Sequence, residues 1–152
     1  MKKFEFTGET KTISLLFRTA TLHRIRAVAE FGLVKIGDLG GWIEKEENLS
    51  HEGKAWVWGN AEVWGNAKVF SASHVLVIGA IGSRDDFTTF FRDKDNEITV
   101  KCGCFLGKID KFLEKVTQTH GDSKYALVYR AAVEVARLQI DLSGEAPKDA
   151  DE

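Results

Sequence analysis

Through the middle of the chain, hydrophobic side chains return every six residues. Val57, Val63, Val69 and Val75 hold one phase, and Ala55, Ala61, Ala67 and Ser73 stand two positions before them. Trp58, Trp64 and Phe70 follow three of the valines, while Gly59-Asn60 and Gly65-Asn66 fall between hexads. Six fits neither the helical period of about 3.6 nor the strand period of about 2. A short fixed period predicts stacked rungs, a solenoid, in which each valine points into a narrow prism. The small residue fits beside the corner, and Gly and Asn take the cramped or positive φ values there. Ile43 and Leu49 extend the series backwards, with a bulge over His51 to Lys54. Stacking would then set Ile43 under Val63, Leu49 under Val69 and Val57 under Val75, about two coils in all.

Both flanks depart from this period. Residues 1–41 read as an N-terminal β cap: a strand at Phe4-Glu5-Phe6, a turn at Thr7-Gly8-Glu9, an apolar run from Ile13 to Phe17 and an alternating strand from Thr21 to Val28. After the hexads, Val75 to Ile81 is a continuous apolar strand and Gly79 to Asp86 a loop. Phe87 to Arg92 is a strand, Asp93 to Asn96 a hairpin turn, and Glu97 to Phe105 the returning strand. The pattern then turns helical. Ile109, Phe112, Leu113 and Val116 form one stripe over 108–120, with Gly121 as the stop. A second helix runs from Lys124 to Ile140, capped by Asp122 or Ser123, with Tyr125, Val128, Tyr129, Ala132, Val135, Ala136 and Leu138 as its apolar face. The tail from Ser143 reads as disordered. The expected fold is mainly β with α+β: a cap over 1–41, a short β-solenoid over 42–78, an α+β domain over 79–142 and a tail over 143–152.

The hexads resemble left-handed β-helix (hexapeptide-repeat) proteins, and the resemblance implies a left-handed β-helix-like segment and a trimeric assembly. A wider likeness rests on Leu22-His23-Arg24-Ile25-Arg26-Ala27, the stretch Lys35 to Ser50, and the Gly-Asn-Ala repeats. Gly82-Ser83-Arg84, Phe87-Thr88-Thr89-Phe90, Cys102-Gly103-Cys104-Phe105 and His120-Gly121-Asp122 extend it. Together these resemble a group of phage and prophage proteins of bacteria, over most of the chain from Leu22 to Leu138. The likeness implies a phage-associated origin and brings no reaction with it.

Composition narrows the function. The chain has 152 residues, is 43% hydrophobic and carries a formal net charge of −2. That balance argues against general nucleic-acid binding by charge. No apolar run is long enough to span a membrane, and the opening Met-Lys-Lys-Phe-Glu-Phe is too polar for a signal peptide, so a cytoplasmic location in the bacterial host is expected. Cys102 and Cys104 stand one residue apart on a strand, face the same way, and read as thiols of a reducing compartment. A metal would need two further ligands at suitable spacing. No metal and no cofactor is expected.

Three clusters are candidates for binding. The glycine-punctuated loop from Gly79 to Thr89 offers backbone N–H groups, the fork of Arg84 and the hydroxyls of Ser83, Thr88 and Thr89 to a phosphate. The alternative is a solvated turn in which Arg84 pairs with Asp85 or Asp86. Arg24 and Arg26 lie on one side of a strand and would join the loop if the fold brings them together; otherwise they line a solvated sheet face. Trp58, Trp64 and Phe70 are expected to face outward, with Trp42 and Trp56 near corners, as an interface for self-association; cover by the chain's own caps and a foreign partner are the alternatives. His51 and His74 flank the repeat, but no histidine–carboxylate dyad is evident, and no catalytic residue is expected. The reading is a non-enzymatic, phage-encoded, homo-oligomeric binding protein. It would interfere with host anti-phage defence by sequestering a nucleotide-type signal or by docking on a host defence protein. A structural oligomerisation module and a hexapeptide-type transferase are the alternatives.

Overall fold

The computed structural model describes residues 1–15, 18–65 and 67–143. The end of the expected run at Leu16-Phe17, the corner at Asn66 and the expected tail beyond Ser143 lie outside the described residues.

The chain begins as a long antiparallel hairpin of β1 (Phe4–Leu15) and β2 (Arg18–Ala27). Thr7-Gly8-Glu9, expected as a turn, is instead a bulge inside β1: the register slips between Phe6, which faces Ile25, and Thr10, which faces His23. Gly8 takes the slip at φ 93°, a conformation a side chain would resist. Strand β3 (Leu39–Ile43) joins β2 antiparallel, and β4 (Glu62–Val63) joins β3 in parallel.

The hexads place side chains as the pattern demands but do not wind into a solenoid. Ala55, Val57, Ala61, Val63, Ala67 and Val69 are all buried in one core with Leu22, Ile25, Ile43 and Leu49. Two of the vertical pairs also occur, Ile43 beside Val63 and Leu49 beside Val69. Parallel pairing stops there. Strand β4 has two residues, the Leu49–Val69 link is a lone bridge, and Val75 pairs antiparallel with Phe91. A solenoid needs each rung to find another above and below it. Here β2 closes the stack antiparallel on one side, and after Val69 the chain leaves to start a second sheet. Among the described residues the fold is α+β: two four-stranded sheets and two α-helices, with no closed sheet.

That second sheet is an antiparallel meander of β5 (Val75–Ile81), β6 (Asp86–Arg92), β7 (Ile98–Cys102) and β8 (Phe105–Lys108). The returning strand, expected as one piece, breaks at Gly103, whose φ of 56° lets Cys102 turn back to face Phe105. Helices α1 (Ile109–His120) and α2 (Lys124–Gln139) follow, within a residue or two of the expected spans. Strand alternation gives this sheet two apolar faces. Val75, Val77, Phe91 and Leu106 reach the first core, while Leu76, Ile78, Phe90, Val100 and Phe105 reach a second core under the helices. The molecule is therefore layered: first sheet with its hexads, second sheet, helices.

Charged groups sit in the seam between the sheets. Glu62 of β4 pairs with Lys11 of β1 at 2.6 Å and Lys101 of β7 at 3.2 Å, and its backbone N–H donates to Thr89 Oγ1. At the end of the second sheet the buried Arg92 donates to Asn96 Oδ1 and to the carbonyl of Ser143, and lies 3.1 Å from His74 Nε2. Burial foremost, then the Arg92 charge, lowers the His74 pKa, against an opposing pull from Asp141. A histidine with a depressed native pKa takes up its proton more readily when unfolded, so stability falls as pH drops below the ordinary value of about 6.5. The urea midpoint should therefore decline between about pH 7.5 and 5.5, and His74→Gln should flatten that decline. The depressed carboxylates of Glu5, Glu44, Asp93 and Asp141 act only below about pH 4.5, because their protons are lost in both states above it.

Candidate anion-binding cleft

Three glycine-centred turns converge at one end of the second sheet. The β5–β6 turn brings Ser83 and Arg84, the β7–β8 turn brings Cys104, and the end of α1 brings His120 just before Gly121. Each turn needs its glycine: Gly82, Gly103 and Gly121 all have positive φ. Gly82 is constrained twice, since a Cβ there would overlap the Tyr129 hydroxyl. The turns surround a cleft of about 170 Å³.

Aromatic rings form its floor. Phe112 packs edge-on against Tyr129 with centroids 5.6 Å apart, and Phe105 tilts against Phe112 at 5.4 Å. The His120 ring stacks on Tyr129 at 5.7 Å with planes 28° apart. Cations form the rim: Arg84 from the β5–β6 turn and Lys115 from α1, with Asp86 as the one acid. Tyr129 is held protonated. Burial first, then the Cys102 sulfur beside its hydroxyl, pushes its pKa up to about 12. Its one O–H is engaged by the Cys102 sulfur, so Tyr129 gives the cleft its ring rather than a free donor. Thr88 Oγ1 donates to Cys102 Sγ at 3.4 Å and holds that sulfur in place.

The structure divides the candidate residues. Ser83 and Arg84 line the cleft. Thr88 and Thr89 are fully buried on opposite faces of β6, Thr88 against Cys102 and Thr89 against the Glu62 backbone, so neither hydroxyl reaches a ligand there. Arg24 and Arg26 do not line it. Arg24 bonds the Gly40 carbonyl, nears Glu9 at 3.5 Å and lies over the Trp42 ring. Arg26 pairs with Glu5 at 2.6 Å. Both are tied to the first sheet, and the six-residue phosphate set expected from sequence does not assemble. Lys115, His120, Tyr129 and Phe105 take the missing places. Phe105 and His120 had a local signal, since Cys102-Gly103-Cys104-Phe105 and His120-Gly121-Asp122 are glycine-bearing turns as Gly82-Ser83-Arg84 is; Lys115 and Tyr129 had none.

The aromatic interface also changes. Trp58 is 51% exposed, as expected of an outward ring. Trp64 is 1% and Trp56 2% exposed, and Trp42 is buried. Trp64, expected to face outward, is buried in the same core as the valines, with Lys101 of β7 and Arg18 both lying over its ring. Trp56 packs edge-on against Phe31, with Gly40 close to its ring. Phe70 is half-buried against His74, beneath Arg92.

Among the described residues no cluster of three or more His, Cys, Asp or Glu side chains is placed to hold a metal ion. No described helix is long and apolar enough to cross a membrane. The chain matches no family model, and a search of the curated proteins found no match.

Proposed function

We propose that this chain is a non-enzymatic, phage-encoded binding protein whose cleft grips the phosphate end of a nucleotide-type ligand. The observation that carries the reading is a cationic rim, Arg84 and Lys115, above an aromatic floor of Phe105, Phe112, Tyr129 and His120. Arg84 offers a bidentate fork to phosphate and Ser83 a hydroxyl, while the rings suit the flat face of a base. Sites that enclose a whole drug-sized ligand run to roughly 300–1,000 Å³. At about 170 Å³ this cleft holds one end, a phosphate and the ring beside it. The resemblance to phage proteins supports a use in host interference, by sequestering a nucleotide-type defence signal. Docking on a host defence protein through exposed tryptophans is the weaker reading, because Trp42, Trp56 and Trp64 belong to the core and only Trp58 is left for it.

Isothermal titration against a panel of mononucleotides, cyclic dinucleotides and nicotinamide dinucleotides tests this. One class should bind, more weakly as salt rises, since rim charges are screened. Arg84→Ala should weaken that binding about 10- to 100-fold, the loss of a charge-assisted pair of about 1.5–3 kcal/mol. Silence across the panel would sink the reading.

A further inference from the structure

Helix α2 has two apolar faces, and only one is used. Ala126, Tyr129, Ala132, Val133 and Ala136 are buried in the second core. On the outer side Leu127, Ala131, Val135 and Leu138 recur at spacings of four, four and three, one continuous stripe on a helix. All four are exposed, Leu127 at 60% and Leu138 at 88%. Singly exposed leucines are ordinary; a stripe at helical spacing is the seam of a helix pair. Residues 144–152 carry no large apolar side chain that would cover it.

The charges beside the stripe say what does. Arg130 and Glu134 stand one turn apart on the same flank, while Val128 and Gln139 occupy the other flank. Two copies of α2 packed antiparallel bring like flanks together, whereas a parallel pair brings unlike flanks together. Antiparallel pairing centred near Ala132 sets Leu127 against Leu138 of the other copy. The same register sets Arg130 against Glu134, twice, once on each side of the two-fold axis. Parallel pairing would leave the Arg130–Glu134 flank facing Val128 and Gln139, with no charge partner. In the single chain Arg130 donates across to the end of α1, to the Gly121 carbonyl at 3.0 Å and Thr117 Oγ1 at 3.3 Å, and lies 3.9 Å from Asp122, while Glu134 accepts from Arg137 at 3.0 Å; all of these contacts are solvent-exposed.

We infer that the partner of this face is a second copy of the chain, docked antiparallel through α2 in an isologous dimer. This differs from assembly through the hexads and is independent of the ligand reading. The cleft uses Tyr129 on the opposite face of α2, so mass measurement and nucleotide titration fail separately.

Sedimentation equilibrium between about 1 and 100 µM should show a species of twice the chain mass. Leu138→Glu should give a monomer whose circular dichroism is unchanged. Glu134→Arg sets Arg130 beside a second cation at both ends of the pair and should weaken association at least tenfold. Arg130→Glu combined with Glu134→Arg restores opposite charges and should restore the dimer. A monomer throughout the range, which would leave the stripe to a foreign protein, overturns the inference. So does a dimer that responds equally to the single and the double charge variants, since that dimer uses another face.

Discussion

Trp64→Ala should lower the unfolding free energy by about 3–5 kcal/mol, the range for deleting a buried aromatic ring. Trp64 fills the seam between the two sheets, beside Phe91 and Leu106 of the second sheet. Arg18 and Lys101 lie over its ring at 5.3 and 5.5 Å, so its loss also strips two cations of their apolar cover. One term works the other way. Among the described residues the buried Nε1 of Trp64 has no hydrogen-bond partner. Trp64→Phe removes that stranded donor and most of the cavity at once, and should cost much less than the alanine. Urea denaturation gives both numbers, with Trp58→Ala as the reference, expected at about 1 kcal/mol or below because that ring is half exposed. Equal losses at Trp58 and Trp64 would mean that the second sheet does not cover Trp64.

Gly41→Ala should be comparably severe for a different reason. A Cβ at Gly41 would stand 2.5 Å from the Trp58 carbonyl oxygen and 2.6 Å from that of Ala61. Neither oxygen is free to retreat. Ala61 N–H donates to the Trp58 carbonyl at 2.8 Å, and Trp42 N–H donates to the Ala61 carbonyl at 3.0 Å. Overpacking in a well-filled core costs about 1–3 kcal/mol, more when the neighbours are backbone, so a loss of about 3 kcal/mol or greater is expected. Gly59 supplies the contrast within the same segment. It has open space at its Cβ position, and Gly59→Ala should be neutral or stabilising by up to about 1 kcal/mol. Thermal melts of the two variants, run side by side, separate the explanations. Matching melts would show that glycine entropy, rather than the close approach of β3 to residues 57–61, governs both positions.

These two positions also mark what the residues disclosed and what they hid. The hexad phase identified the buried set because burial depends on local spacing, and Val57, Val63 and Val69 each obey it. It did not identify the architecture, because rung stacking depends on what lies above and below, which spacing does not encode. Trp64 shows the same limit. It was expected on the outside, but it is buried, and part of its cover comes from Lys101 of β7, more than thirty residues on. Gly40-Gly41 stood at the end of the expected cap with no signal of close packing, although it is where two backbones touch. The helix spans were legible almost to the residue, since the Gly121 stop is a local signal, but the expected face of α2 was not: Tyr125, Val135 and Leu138 are exposed, while Ala126 and Val133 are buried. The cleft was half legible. Arg84 and Ser83 announced themselves as a polar turn, while Lys115 and Tyr129 join them only through the packing of α1 and α2 on the sheet. Thr88 and Thr89 misled because a strand sends neighbours to opposite faces, and both of these faces are covered.

Phe90 and Phe91, adjacent in sequence, serve different cores. A wall greased on both sides cannot stand with one side wet, so neither half of the chain is a separable module. The four tryptophans, all between positions 42 and 64, report on one side of the wall, and helical ellipticity reports on the other. Signals from opposite ends of the molecule are thereby bound to a single cooperative melting event.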